Sequence, residues 1–264
     1  MFSSMLSNFS NPSPLQSVRL ATTAALPTCT ASGSGAGKTL TATTSGPLTV
    51  DSVTTALNDR ILVKNQSTGS DDGIYTETTL GVSPVQAVFT LTSTVYSVNG
   101  SESLLSGEYI TLTSPTTTYY VWFTSSGSGS APSPGGSPTR IGPGACALLN
   151  TDTDAAAMAK VATFINTYAP SIFSVTSSTN VLTITAVASG PTTWGSGPTY
   201  VASGGYVSGV TAVNFILTRS ADFSANVLSG MQVPVTAGTV NTGKTFTLTT
   251  ANPITVDTTA LTFS

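Results

Sequence analysis

The chain has 264 residues, of which only 7% are charged and 39% are hydrophobic; its net charge is −3 and it contains no histidine. A mean hydropathy of +0.24 excludes disorder of the whole chain, which needs low hydrophobicity and high net charge. The missing histidine removes the commonest general base and the commonest metal ligand together.

The length allows one large or two small domains. A typical soluble domain carries about 25% charged residues, so Ser, Thr and Gly here occupy positions that charge usually takes. Thr and Val favour pleated, half-buried surfaces, and low net charge weakens repulsion between copies. The composition therefore fits a chain that works inside an assembly. Two cysteines, Cys29 and Cys146, read as free thiols, since one pair cannot build a disulfide framework. An acidic balance with eight scattered basic residues argues against nucleic-acid binding.

Residues 1–17 are polar and contain Pro12 and Pro14. They read as an extended arm that orders only on a partner. Its docking residues would be Phe2, Met5, Leu6, Phe9 and Leu15, too few to fold alone but enough to fill grooves on another surface. No basic stretch precedes an apolar run there, so it does not read as a signal peptide. No apolar run in the chain has membrane-spanning length.

Residues 18–80 read as short strands. Thr39–Ala42 alternates apolar and small polar residues; Leu48–Val50 follows the Gly46-Pro47 turn signal. Arg60–Lys64 is an apolar strand with a cation at each end, and period-two alternation puts residues 60, 62 and 64 on one face. Two cations on the solvent side would guard an edge strand against unwanted pairing. A polar turn over 65–73 leads into a strand at Ile74-Tyr75-Thr76. Further strands are expected over 85–95 and 108–124, followed by a Gly/Ser/Pro loop over 125–137. One helix is expected over Ala155–Tyr168, capped by Asp152 or Thr153 and stopped by Pro170. Met158, Val161, Ile165 and Tyr168 fall on one face at helical spacing. Strands follow at 172–176, 181–187, 213–218, 232–235, 245–250 and 254–263.

Two segments invite a chemical reading and fail it. Gly33–Thr39 approaches a phosphate-binding loop, which needs Gly, four residues, then Gly-Lys-Ser/Thr. Ser32 stands where the first Gly belongs, and a strand rather than a helix follows. Asp71-Asp72-Gly73 begins like a calcium loop, but the twelfth position is Val82 instead of Glu; it reads as a tight turn. No carboxylate pair is singled out for acid–base work. Trp122, Trp194, Tyr200 and Tyr206 are read as exposed aromatics that could stack on sugar rings or serve a protein interface.

The motif strings themselves are familiar. Val18–Ala24 is followed by Gly35–Thr43, Leu48–Asp51, Asn58–Gln66 and Asp72–Tyr75. These resemble a β-rich module of tailed-bacteriophage tail fibres and other virion appendages. In that family a Leu-Thr-Arg-x-x-Asp-Phe motif soon follows, then a Gly-Thr-x-Asn turn and a run ending Thr-Thr-x-Leu-x-Phe. Here the matching pieces lie far downstream, at Leu217–Phe223, Gly238–Asn241 and Thr258–Phe263. The module is therefore split, and the segment between its halves resembles a second phage structural module.

The expected fold is mainly β: a discontinuous β-sandwich or barrel-like domain, 18–80 plus 212–264, with an inserted small α+β domain, 81–211, containing one helix. The resemblance implies a non-enzymatic structural component of a tailed-phage virion, assembled in the host cytoplasm, in a tail, baseplate or neck appendage. A capsid decoration protein is one alternative; a carbohydrate-binding module that recognises a host surface glycan is another. The expected partners are other virion proteins and further copies of the chain, with a trimer implied by fibre symmetry; no cofactor, metal, nucleic acid or membrane span is expected.

Overall fold

The structure, a computed structural model, describes residues 15–93, 107–125, 130–149, 151–193 and 201–264. It is mainly β, with several sheets and a single α-helix among the described residues. The chain divides into two compact units, one formed by the residues up to Ser83 with Val213–Ser264, the other by Pro84–Ala212.

Unit 1 is built on a six-stranded sheet. Its strands are β1 (Leu20–Ala21), β2 (Cys29–Ser32), β3 (Thr39–Ala42), β6 (Arg60–Val63), β7 (Gly73–Thr79) and β16 (Ile216–Arg219), in the spatial order β1-β6-β7-β16-β3-β2. The late strand β16 thus lies between two early ones, opposite Thr39–Thr41 on one side and Tyr75–Thr79 on the other. β1 runs parallel to β6; the other pairs are antiparallel. Two small hairpins complete the unit: β4 (Thr49–Val50) with β5 (Val53–Thr54), and β17 (Gln232–Pro234) with β18 (Thr245–Thr247).

Period-two alternation sends neighbouring side chains to opposite faces of this sheet, and both faces are covered. Leu20, Leu40, Ile61, Val63, Tyr75 and Leu217 join one core; Ala21, Leu62, Ile74 and Phe223 join another with Val233, Val235 and Leu248. β6 is consequently an interior strand. Its flanking cations are not edge guards: Arg60 is held by Asp222, and Lys64 sits 4.8 Å from the Phe246 ring centroid. The closing run 254–263 is not a strand; only Phe263 makes a bridge, to Leu248.

Unit 2 contains β8 (Gln86–Ser93), β9 (Tyr109–Thr113), β10 (Thr118–Ser125), β11 (Thr139–Arg140), β12 (Cys146–Leu148), α1 (Asp154–Tyr168), β13 (Phe173–Ser178), β14 (Val181–Ser189) and β15 (Val201–Val207). One sheet has the order β13-β14-β8-β15; in the other, β10 pairs with β9, β11 and β12. The Thr153 hydroxyl caps α1 by accepting the Ala156 N–H at 3.2 Å, which satisfies one of the orphan donors of the first turn. Met158, Val161 and Ile165 are buried in one core with Phe89, Val121, Phe123, Phe173 and Ile184. Tyr168, expected on the same face, is instead 49% exposed and packs its ring against Phe164, with centroids 4.9 Å apart.

Candidate functional site

Three loops and a strand end meet in unit 1. The Gly33–Lys38 turn ends in a short 3-10 segment, Gly35–Gly37. A second 3-10 segment, Gly69–Asp71, precedes β7. Arg219 is the last residue of β16, and Asp257 lies in a turn of the C-terminal segment. Lys38 and Arg219 are almost fully buried, 5% and 2% exposed. Taking such charges out of water is costly unless they are paired and hydrogen-bonded, so their partners define the site.

Lys38 Nζ lies 2.6 Å from Asp71 Oδ1 and 3.1 Å from Asp257 Oδ1, and donates to the Ser70 carbonyl at 3.3 Å. Arg219 Nη2 lies 3.2 Å from the same Asp257 oxygen and donates to the Tyr75 hydroxyl (2.8 Å) and the Ser70 carbonyl (3.3 Å). Its Nη1 donates to the Asp72 carbonyl at 3.2 Å. The Tyr75 hydroxyl in turn donates to the Asp71 carbonyl at 2.7 Å. Asp257 Oδ2 accepts the Gly35 N–H at 2.7 Å. The guanidinium also lies 4.8 Å from the Tyr75 ring centroid, within cation–π range. Two cations meet two carboxylates, so the cluster is neutral as a set.

Gly73 makes room for this. Its φ is +145°, and a Cβ there would stand 2.4 Å from Arg219 Nη1 and 2.9 Å from Phe223 Cε1. Only glycine admits both that backbone angle and the passing guanidinium.

The electrostatics follow the geometry. Burial alone would raise the Asp257 carboxyl, but the Gly35 N–H, the Lys38 ammonium and the Arg219 guanidinium outweigh it and hold it below the usual carboxylate range. Burial pushes Asp72 up to about 6, against the Gln66 N–H that it accepts at 2.9 Å. Burial also raises the Tyr75 phenol and pushes the two free thiols up, Cys29 to about 11 and Cys146 to about 12. Neither cysteine is therefore an activated nucleophile at neutral pH.

Further pairs join the remaining motifs within the same unit. Arg60 grips Asp222 with both terminal nitrogens, at 3.0 and 2.8 Å. Arg19 bonds Asp59. Asp51 accepts the N–H groups of Val240 (2.9 Å) and Asn241 (2.7 Å), and the Asn241 amide donates to the Ala21 carbonyl. Lysine of the glycine-rich turn and aspartate of the Asp-Asp-Gly turn are thus each other's partners. Among the described residues no group of three or more His, Cys, Asp or Glu is placed to hold a metal ion.

Comparison of the chain with protein-family models, with curated proteins and with solved structures finds no match. The site stands on its own geometry.

Sequence reasoning singled out neither Asp257, which sits between Lys38 and Arg219, nor Glu77. Glu77 is fully buried on β7, and neither carboxylate oxygen has a hydrogen-bond partner among the described residues. Burial raises its pKa, and Asp59 adds to the rise; the nearby Thr55 hydroxyl donates to the Leu48 carbonyl. Alternation from the buried Tyr75 puts residue 77 on the same inward face, a signal that was present in the sequence.

Of the four expected binding aromatics, Trp122 and Tyr206 fall among the described residues. Trp122, read as exposed, is 6% exposed. It lies on β10, where residues 120–124 are buried without interruption, so neither face of the strand is open to solvent. Tyr206 is 36% exposed, stacked on Phe89 with ring centroids 5.3 Å apart, and its hydroxyl bonds Thr192. Trp194 and Tyr200 lie outside the described residues, as do Phe2, Met5, Leu6 and Phe9 of the arm. Leu15 is half-buried against the Val235 and Leu248 core of its own unit, and its N–H donates to the Gln232 carbonyl at 3.0 Å.

Proposed function

We propose that the chain is a non-enzymatic structural component of a tailed-bacteriophage virion, in a tail, baseplate or neck appendage, and that it acts as a homo-oligomer in contact with other virion proteins. The observation that carries this reading is the mutual pairing of the motif residues. Arg19, Lys38, Asp51, Asp59, Arg60, Asp71, Arg219 and Asp222 come from separate motifs, and their side chains are spent on one another or on backbone groups of the same unit. Residues that bind a substrate would leave reactive or donor groups facing a cleft; these hold a module together. The sparse charge of the chain suits a surface that meets other protein copies. Capsid decoration is the same reading at another position in the particle.

The test is immunogold labelling of purified particles of the phage whose genome encodes the chain, with antibody against the purified protein. Label at one defined place, and a band for the chain in purified particles, are expected. Particles that lack the chain overturn the proposal.

A sugar-binding reading draws on Tyr206 and Thr192, which stand together at the surface of unit 2. A glycan array separates the two: binding that Tyr206→Ala abolishes would favour recognition of a host surface glycan.

A further inference from the structure

The two edges of the six-stranded sheet are treated differently. Beyond β1 the edge is closed by the chain itself. Thr236 N–H donates to the Val18 carbonyl (3.0 Å), Ala237 N–H to the Arg19 carbonyl (2.8 Å) and the Asn241 amide to the Ala21 carbonyl (3.0 Å). The other edge, β2, has no such cover. Thr43 N–H donates to the Thr28 carbonyl, so the alternation of an antiparallel ladder turns Thr28, Thr30 and Ser32 toward β3 and turns the backbone groups of Cys29 and Ala31 outward. Among the described residues those outward groups meet no hydrogen-bond partner.

Natural edge strands are commonly blunted by lysine, proline, a bulge or inward charge. β2 is short, at four residues, but carries no lysine, proline, bulge or inward charge. Its sequence is Cys-Thr-Ala-Ser, Thr30, Ala31 and Ser32 are exposed, and its register with β3 is continuous. The flanking chain from Thr28 to Gly37 carries no charged side chain.

We propose that β2 is the surface through which two copies of this chain pair, edge to edge and antiparallel about a two-fold axis at Thr30. This deepens the homo-oligomeric part of the proposed function and rests on that part alone, since it holds whatever particle the chain belongs to. In this register Cys29 faces Ala31 of the second copy and Ala31 faces its Cys29. Both are hydrogen-bonded pairs, so every outward N–H and carbonyl of the two residues is used. Thr30 then faces Thr30 of the second copy in a non-hydrogen-bonded pair, with Cα atoms about 4.5 Å apart.

A second copy is favoured over a foreign strand by self-complementarity. The outward groups lie symmetrically about Thr30, and an uncharged edge meets itself without repulsion. Closure also follows. With the far edge of the sheet already covered, pairing through β2 uses the one edge of that sheet left open among the described residues and stops at two copies, instead of running on into a filament. Four strand residues per copy form a small interface, so the pair is of the weak, concentration-dependent kind that gains strength when copies are held close on a larger particle.

Sedimentation velocity of the full-length chain from micromolar to near-millimolar concentration reads the pairing directly. A monomer–dimer equilibrium is expected, and Thr30→Lys should raise its dissociation constant at least about tenfold, because two like charges then face each other directly. Circular dichroism checks that the variant is folded. In a Cys29→Ala background, Thr30→Cys should form a covalent dimer on mild oxidation, since the expected Cα separation lies within the disulfide range. Thr242→Cys, at an exposed site away from β2, should not. A chain that is monomeric throughout, a dimer that Thr30→Lys leaves unchanged, or crosslinking no greater than at Thr242 each overturns the inference. Association that persists in Thr30→Lys would leave the homo-oligomer intact and place it on another surface.

Discussion

Replacing Arg219 by Met tests the buried cluster at its centre. The change keeps a long unbranched stem and removes the guanidinium that ties Asp257, Tyr75 and the carbonyls of Ser70 and Asp72 together. Breaking a buried pair by removing one partner costs about 3–5 kcal/mol. Asp257 keeps Lys38 and the Gly35 N–H, and its side chain is 18% exposed, so the low end, about 3 kcal/mol, applies. At roughly 3 °C per kcal/mol for a chain of this size, the transition should fall by about 9 °C. Arg19→Ala is the control. It removes an ion pair whose arginine is 39% exposed, worth about 1 kcal/mol or less, so its shift should stay under about 3 °C. Calorimetry follows both units, whereas intrinsic tryptophan fluorescence follows unit 2 alone, because Trp122 and Trp194 both lie there. The loss should therefore appear in the calorimetric transition that fluorescence does not track, if the units melt separately. In an Arg219→Met background, Asp257→Asn should cost less than in the parent chain, since the shared pair is already broken. A shift for Arg219→Met no larger than for Arg19→Ala would refute the view that this cluster holds unit 1 together.

Three further outcomes are expected. Asp257 is held below its ordinary pKa, so its contribution is present above about pH 4 and lost as pH falls through the lower folded value; Asp257→Asn should flatten the acid limb of a Tm-against-pH curve. Asp72 is pushed the other way, to about 6, so the stability it allows is present below about pH 4 and lost as pH rises from there through about 6; Asp72→Asn should melt higher than the parent above pH 6 and match it in acid. Glu77→Met removes a buried carboxylate that has no hydrogen-bond partner among the described residues and should stabilise the chain by about 1–3 kcal/mol, read as a higher denaturant midpoint.

Much of the architecture was legible because its signals are local. Thr153 and the Met158, Val161, Ile165 stripe announce α1, and Gly46-Pro47 and Asp71-Asp72-Gly73 announce turns, since capping and turn chemistry depend on residues a few positions apart. Strand position within a sheet is not local. Arg60 and Lys64 look like the charged rim of an edge strand, yet β6 is interior, because β1 adds to it in parallel, Leu20 opposite Ile61, and Asp222 reaches Arg60 from 162 residues downstream. Trp122 misleads for the same reason. Aromatic residues with polar tips suit surfaces and interiors equally, and only the burial of all of residues 120–124 decides between them.

The cluster around Arg219 shows where such reading stops and what replaces it. Taken singly, Gly33–Thr39 is a failed phosphate loop, Asp71–Gly73 a failed calcium loop, and Leu217–Phe223 a short strand and turn with an arginine at the strand end. Each carries a charge or a glycine that its own segment does not explain. Lys38 has no local partner, Asp71 no cation, and Gly73 no steric need within its own turn. Lys38 and Asp71 explain each other, and Gly73 is explained when β16 enters the sheet between β7 and β3 and carries Arg219 into the space above it. An interrupted module must bring its two halves together across a long insertion, and β pairing of that range pays a loop-closure cost before any contact forms. Buried ion pairs are poor sources of net stability but penalise wrong pairings heavily, because a charge left unpartnered in the interior is expensive. Lys38 already meets Asp71 and the Ser70 carbonyl within the first half, but Arg219 reaches Tyr75 and the Ser70 and Asp72 carbonyls only when its strand sits between those two strands of the first. The cluster therefore selects the register of β16, and the chemistry that resembled a ligand site in each segment is the means by which the separated segments recognise one another.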